Sequence, residues 1–288
     1  PTDQVLIDLV GRHPFMTRER LSTVLGWTMW RTRQQRDRLI SMGLMRLVDD
    51  GDLDQDHAGL ELVELTVDGL TICAAQHGLP LRTAVRVNGL AGGGPDRPIG
   101  TRRTLLRQLA HTFGADGVFI SLIDSARRLQ ETGSDDALVD WQNAAACARG
   151  RLRPDGYGMY RRNGRLHGFF VEYDRSTMSI DGYRRKFGAY IDFFTSGRFS
   201  REYDGFPTIL VVTTDERAEE RIAQTARAMV ADANVNLPIL LTCQARWEDP
   251  QNATGLLNSI WREIDARPIE RRCWLSSAPE MVSTHATR

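Results

Sequence analysis

Between residues 137 and 243 the chain alternates strand-length and helix-length segments in an order that few folds accept. Three extended segments come first, then an amphipathic helix, a buried strand (FPTILVVTT), a second helix and another buried strand (NLPILLTC). A helix over 101–130 precedes them, which gives the order α-β-β-β-α-β of an α/β sandwich with a mostly buried sheet. The predicted extended segments are 137–147, 152–162 and 165–174, with an RNG turn between the last two, and the helices are 180–194 and 216–231.

The first 80 residues follow a different pattern. Apolar residues at helical spacing predict three short helices, of which the second and third begin after the N-caps Thr17 and Thr28 and end at Gly26 and Gly43. Two alternating segments, LMRLV and LELVELT, then flank the acidic turn DDGDLDQD, and a helix over 67–77 follows. This order resembles a winged helix-turn-helix module, and MTRERLSTVLGWTMWRTRQQRDRLISMGLMRLV with TVDGLTICAAQHG carry the resemblance.

The formal net charge of zero conceals opposite local charges. Eight Arg and two acids lie between residues 12 and 46, whereas eight acids and neither Lys nor Arg lie between 47 and 68. In a winged helix the third helix enters the major groove of DNA, where Arg and Gln read base edges. We therefore predict DNA binding by Thr28, Trp30, Arg31, Arg33, Gln34, Arg36 and Arg38.

Two observations leave alternatives open for this module. A basic helix face can also be an ordinary solvent-exposed face that binds no DNA. An acidic wing is repelled by phosphate, so we expect the wing either to point away from the duplex or to contact a basic partner.

Composition divides the chain into four parts. RTAVRVNGLAGGGPDRPIG, at residues 82–100, contains three consecutive Gly and predicts a flexible linker. The predicted winged helix is therefore 1–81, the second domain 101–275, and residues 276–288 a disordered tail.

Carboxylates cluster within the second domain. Asp155 begins the second strand, and Glu172 and Asp174 lie two residues apart at the end of the third, on one face. Pairing of these strands would bring the three carboxylates together, as metal-dependent phosphodiester cleavage requires, and we expect Mg²⁺ or Mn²⁺ there.

The chain contains 36 Arg and a single Lys, Lys186, which lies on the following helix with Tyr183 and Tyr190 on the same face. An ammonium differs from a guanidinium in geometry, so a site that requires Lys would not accept Arg. We predict that Lys186 assists catalysis, with the two tyrosines supporting it. An ordinary surface Lys is the alternative.

The segment RPDGYGMYRRNGRLHGFFVEYDRSTMSIDGYRRKFGAY resembles the replication-relaxation family, also described as MobC-like proteins of plasmids and integrated mobile elements. The resemblance implies a winged helix joined to a PD-(D/E)xK, or restriction-endonuclease-like, core. It matches Asp155 to the PD aspartate, Glu172 to the (D/E) residue, and Lys186 with Tyr190 to a K-x-x-x-Y element. Two positions depart from the pattern: Asp174 stands where such nucleases carry Lys, and Ala144 stands where relatives carry Glu in W-x-x-E.

Three functions remain open on these grounds. The first is a plasmid or mobile-element protein that binds duplex DNA and nicks or cleaves it with Mg²⁺. The second is a non-catalytic DNA-binding accessory of a relaxase or replication protein, and the third is a transcriptional regulator. Paired half-sites would suit a homodimer.

Cysteine and histidine spacing adds little. The four Cys include no CxxC pair and the six His no HxxxH, so we expect buried thiols and no His-based metal site. Apolar runs are too short to cross a bilayer, and we expect a cytoplasmic protein without a membrane partner.

Overall fold

The computed structural model describes residues 2–53, 55–87, 105–249, 252 and 254–275. The predicted tail and residues 88–100 of the predicted linker lie outside these ranges. The chain is of the mixed α/β class, as expected. We call residues 2–87 the N-terminal module; its elements are α1 (Thr2–Arg12), α2 (Arg18–Leu25), α3 (Met29–Ser41), β1 (Met45–Leu47), β2 (Val63–Leu65), α4 (Val67–Gln76) and α5 (Leu81–Val87).

Local signals in the sequence set the helix ends of the N-terminal module. The hydroxyl of Thr17 accepts a hydrogen bond from the Arg20 amide, and Thr28 accepts one from the Arg31 amide, so both residues are the predicted N-caps. Gly26 ends α2 in the left-handed conformation, with φ of 65°. From α1 to α4 the order of elements is the predicted one, and β1 pairs antiparallel with β2.

The acidic segment between β1 and β2 packs against the start of the long helix α6 (Leu109–Gln130). His57 lies edge-on to Phe113, with ring centroids 5.3 Å apart. A small apolar cluster joins the N-terminal module to the residues around the start of α6. It consists of Phe15, Val48, Leu62, Leu106 and Leu109. Burial of these apolar side chains fixes the segment on the rest of the protein.

We call residues 105–275 the sheet module. It contains α6 and a six-stranded sheet in sequence order, β3-β4-β5-β6-β7-β8. The first three strands form an antiparallel meander, β5, β6 and β7 are parallel, and β8 is antiparallel to β7. The remaining elements are β3 (Ala137–Asn143), β4 (Gly156–Arg162), β5 (Arg165–Asp174), α7 (Ile180–Thr195), β6 (Thr208–Thr213), α8 (Glu216–Asp232), β7 (Ile239–Cys243), α9 (Gln244–Trp247) and β8 (Arg262–Glu263).

Helices cover the two faces of the sheet. Phe169, Val171 and Tyr173 of β5 belong to the cluster that includes α6, whereas Phe170 belongs to the cluster that includes α7 and α8. This alternation follows the two-residue period of a strand, and burial on both faces explains the continuous apolar runs in β6 and β7.

The N-terminal module and the sheet module pack together through α6. One apolar cluster contains residues of both, and Arg20 and Arg127 add hydrogen bonds to the carbonyls of Phe113 (2.9 Å) and Val24 (2.7 Å). Residues 82–87 of the predicted linker belong to α5, so helical structure continues beyond the predicted boundary at residue 81. Among the described residues, no helix is both long enough and apolar enough to cross a bilayer.

Candidate functional site

The predicted catalytic residues meet where β4 begins and β5 ends. Asp155 directly precedes β4, and its amide donates to the carbonyl of Val171 on β5 (3.0 Å). Its carboxylate in turn accepts from the amide of Tyr173 (2.8 Å). These two backbone contacts fix Asp155 beside Glu172, where β4 begins and β5 ends, as the predicted pairing of the two strands implied.

Glu172 points towards α7, where Lys186 and Tyr190 lie one helical turn apart. Lys186 Nζ donates to Glu172 Oε2 and lies 3.6 Å from Asp155 Oδ2. The hydroxyl of Tyr190 donates to Glu172 Oε1 at 2.6 Å. Glu172 is 4% exposed, and the side chains of Asp155 and Lys186 are 14% and 21% exposed. The ammonium, the hydroxyl and the two carboxylates therefore form one largely buried polar group. We call Asp155, Glu172, Lys186 and Tyr190 the carboxylate–lysine cluster.

The charges of this cluster shift each other's protonation. Burial opposes ionisation of Asp155, but Lys186 and then His111 outweigh it and hold the pKa of Asp155 well below its usual range. Burial and the charge of Asp155 raise the pKa of Glu172, although Lys186 acts against them. Burial alone would lower the pKa of Lys186, but the two carboxylates raise it above the ordinary lysine value. Lys186 is therefore the stable cation of the cluster.

His111 of α6 contacts the cluster from the opposite face of the sheet, and no motif or spacing in the sequence indicated this contact. Its Nε2 lies 3.1 Å from Asp155 Oδ1. Burial would lower the pKa of His111, but the hydrogen bond and charge of Asp155 raise it. Gly114, one turn later, lets α6 approach this closely, because a Cβ there would lie 2.0 Å from the ring of Tyr173.

Asp174 is on the same face as Glu172, as predicted, but it stands apart from the other two carboxylates. Its carboxylate accepts from the Ser176 amide at 2.9 Å. The buried hydroxyl of Tyr183 faces Asp174 without a hydrogen bond of normal geometry; burial and this carboxylate raise its pKa. Asp174 and Tyr183 therefore form a separate pair beside the carboxylate–lysine cluster.

The donor set at the cluster fits a divalent cation only in part. Asp155 and Glu172 offer the carboxylate oxygens that Mg²⁺ prefers. Each of their oxygens already faces a donor, however, and the Lys186 ammonium lies between the two side chains. Asp174 does not complete a three-residue ligand group here. Among the described residues, one group of three such side chains has its donor atoms within 4.8 Å of one another, and it consists of Asp8, Cys73 and His77. A cation at the predicted place must displace the ammonium.

A second candidate surface is the exposed face of α3. Trp30 is 71% exposed, and Arg31, Arg33, Gln34 and Arg38 are also exposed. Arg33 lies 3.5 Å from Asp37, and the Arg31 guanidinium lies 4.6 Å from the centre of the Trp27 ring. Thr28 caps the helix at the start of this face. The α3 face therefore presents guanidinium groups beside an exposed aromatic ring. We use this name for six residues: Thr28, Trp30, Arg31, Arg33, Gln34 and Arg38.

Arg36 does not belong to the α3 face, which corrects our expectation. It is 5% exposed, and its guanidinium pairs with Asp37 (2.8 Å) and with Glu61 (2.6 Å). Glu61 precedes β2, so Arg36 holds α3 to the acidic segment. Its position on the helix suggested an outward side chain. The contact with Glu61 could not be predicted, because helical spacing contains no information about where a distant acid lies.

A cavity of about 640 Å³ lies between the two modules. Arg20, His57, Phe113, Tyr173 and Trp247 are among its lining residues. Tyr173 connects it to the carboxylate–lysine cluster, since its amide binds Asp155 while its ring faces the cavity. The cavity therefore adjoins the cluster on the α6 side of the sheet.

Comparison with known proteins gives one match. No curated protein and no solved structure matches the chain. The family model described as replication-relaxation matches residues 7–209, which include the α3 face and the whole carboxylate–lysine cluster. This match supports a role in the replication or relaxation of a plasmid or mobile element, and because it covers well over half of the 288 residues, the chain belongs to the replication-relaxation family.

Proposed function

We propose that this protein binds duplex DNA through the α3 face and nicks or cleaves it in a metal-dependent reaction at the carboxylate–lysine cluster. The observation that carries the proposal is the convergence of Asp155, Glu172 and Lys186 where β4 begins and β5 ends. Polar groups of this kind are costly to bury, and groups with strongly shifted pKa values concentrate at functional sites.

The α3 face supports the binding step. Guanidinium groups neutralise phosphates and also read guanine with two hydrogen bonds. The N-terminal half of a recognition helix supplies base contacts in helix-turn-helix proteins, and Arg31 and Arg33 occupy that half of α3. Arg38, near the end of the helix, would contact phosphate in place of Asp3, from which it lies 3.5 Å in the free protein.

In the cleavage step, a divalent cation bound by Asp155 and Glu172 would activate water and neutralise charge on the phosphate. Tyr190 holds Glu172 in place through its hydrogen bond, and the Tyr173 amide and His111 orient Asp155. Lys186, released from the carboxylates by the cation, would donate from its ammonium to a phosphate oxygen.

Incubation of the protein with supercoiled and linear plasmid DNA tests the proposal, in parallel reactions that contain Mg²⁺, Mn²⁺ or EDTA. We expect nicked or linear product with a metal, none with EDTA, and at least a hundredfold slower reaction for Asp155→Asn. The matched control is Asp140→Asn, since Asp140 lies on β3 outside the cluster. Equal activity of Asp155→Asn and wild type would contradict a role of the cluster in cleavage.

One observation favours a second function, that of a DNA-binding accessory without cleavage. The Lys186 ammonium already compensates Asp155 and Glu172, so the cluster is complete as a structural element. This alternative predicts a normal gel shift with duplex DNA and intact plasmid under every metal condition. It also predicts that Asp155→Asn lowers the melting temperature but leaves DNA affinity unchanged.

A further inference from the structure

A group of three side chains on the N-terminal module stands outside the proposed DNA site. Asp8 lies on α1, and Cys73 and His77 lie one turn apart at the end of α4. Their carboxylate, thiol and imidazole donor atoms all lie within 4.8 Å of one another. His77 Nε2 and Asp8 Oδ1 are 2.5 Å apart. We call these residues the Asp–Cys–His group.

The spacing of the two α4 residues suits a metal. Side chains at i and i+4 share one face of a helix, which is how helix-borne zinc ligands occur in pairs. The sequence contains neither HxxxH nor CxxC, but it contains the mixed form CxxxH as Cys73-Ala74-Ala75-Gln76-His77. The third donor could not be found in the sequence, because α1 meets α4 only in the folded chain.

The donor types select the metal. Zinc takes thiolate, imidazole and carboxylate together, whereas magnesium and calcium prefer oxygen donors alone. Zinc–ligand bonds of about 2.0–2.3 Å place tetrahedral donor atoms roughly 3.3–3.8 Å apart, so small side-chain rotations bring this group to that geometry.

The surroundings of the group orient the ligands. Arg12 donates from Nη2 to Asp8 Oδ2 at 2.6 Å, which leaves Oδ1 directed at His77. Cys73 is fully buried, whereas 47% of the His77 side chain is exposed. The group is thus anchored in the interior and open on the His77 side, where a solvent molecule would complete the coordination.

From this geometry we propose that Asp8, Cys73 and His77 form a Zn²⁺ site that fastens α1 to α4. The site lies at the junction of the first and fourth helices of the module that carries the α3 face. Zinc would stabilise the folded form, because it binds the assembled donors and not the separated ones of the unfolded chain. The site is independent of cleavage at the carboxylate–lysine cluster.

Cobalt serves as the test, because Co²⁺ replaces Zn²⁺ with the same ligands and absorbs visible light. The full chain, without an affinity tag, is titrated with Co²⁺ and then with Zn²⁺. We expect one Co²⁺ per chain, a thiolate-to-cobalt charge-transfer band in the near ultraviolet, visible bands of tetrahedral intensity, and loss of all bands on addition of one equivalent of Zn²⁺. The melting temperature should rise with Zn²⁺.

Two variants decide whether the signal comes from this group. His77→Ala removes a half-exposed side chain and should abolish the bands and the Zn²⁺-dependent rise while the chain stays folded by circular dichroism. The matched control His167→Ala removes an imidazole from β5 and should behave as wild type. Absence of a charge-transfer band in the wild type, or an undiminished band in His77→Ala, would overturn the proposal and leave His77 and Asp8 as a simple ion pair.

Discussion

Lys186 donates its hydrogen bond to Glu172, a residue fourteen positions earlier in the chain, and thereby joins α7 to the end of β5. The same ammonium lies 3.6 Å from Asp155, so one cation compensates two carboxylates that approach from neighbouring strands. The one Lys in a chain with 36 Arg therefore lies at a distinctive place in the structure, between two carboxylates. The unbranched chain of Lys186 brings a compact ammonium close to both carboxylates, whereas a planar guanidinium is wider.

Lys186→Arg should consequently impair the cluster although it keeps the charge. We expect at least tenfold slower plasmid nicking with unchanged DNA affinity, because the guanidinium cannot occupy the same space. A nicking assay beside a gel shift measures both. Arg185→Lys, an exposed neighbour on α7, is the control. Wild-type nicking by Lys186→Arg would show that the reaction needs a positive charge at this position but not an ammonium.

Tyr190→Phe removes the hydroxyl that binds Glu172 and leaves the ring packed in the core. Glu172 Oε1 then lacks a donor in a buried site, and we expect the free energy of unfolding to fall by about 1–3 kcal/mol in urea denaturation. Tyr203→Phe is a matched control, because the buried Tyr203 hydroxyl has no hydrogen-bond partner among the described residues. Equal losses in the two variants would show that the Glu172 contact contributes nothing.

The double variant Arg31→Ala/Arg33→Ala should weaken duplex DNA binding. Loss of two phosphate or base contacts should reduce the slope of log K against log salt by roughly one to two units. Fluorescence anisotropy at several salt concentrations measures the slope. Arg161→Ala/Arg267→Ala, which removes two exposed arginines of the sheet module, should leave it unchanged. An unaltered slope in the first variant would exclude the α3 face as the DNA contact.

Arg36→Ala should behave differently from the α3-face variants. Its guanidinium joins α3 to Glu61, so its loss should lower the free energy of unfolding by about 1–2 kcal/mol. Because Arg36 is buried, the salt dependence of DNA binding by the folded protein should remain that of wild type. A reduced salt slope for Arg36→Ala would place Arg36 on the DNA after all.

His13 makes stability depend on pH. It is buried against Trp141, with ring centroids 3.7 Å apart, and burial and then the charge of Arg12 lower its pKa from 6.5 to about 3. Between pH 6.5 and pH 3, the His13 imidazole binds a proton in the unfolded chain but stays neutral in the folded chain. The free energy of unfolding should therefore fall by about 1.4 kcal/mol per pH unit between pH 6.5 and pH 3, from this residue alone.

Urea denaturation at pH 5.0 and pH 7.5 measures this effect. His13→Phe keeps a ring against Trp141 and removes the titrating nitrogen, so its stability should vary less between the two pH values. A pH dependence of His13→Phe equal to that of wild type would contradict the assignment.

Much of the fold could be predicted from the sequence because its signals are local. Thr17 and Thr28 cap helices through hydrogen bonds three residues ahead, Gly26 ends α2, and apolar periodicity defines the strands. The family resemblance likewise depends on residues close together in the chain. The meeting of Asp155 and Glu172 was predictable too, because the RNG turn fixes the register of β4 and β5.

Other features depend on contacts between distant segments, and only the tertiary structure decided them. Arg36 was expected on the outer face of α3, but its guanidinium is buried in an ion pair with Glu61. His111 reaches Asp155 only because Gly114 lets α6 lie against Tyr173. Asp8 meets His77 only where α1 packs on α4. Helix and strand periods fix which face of an element a residue occupies, but the packing of the elements determines what that face meets.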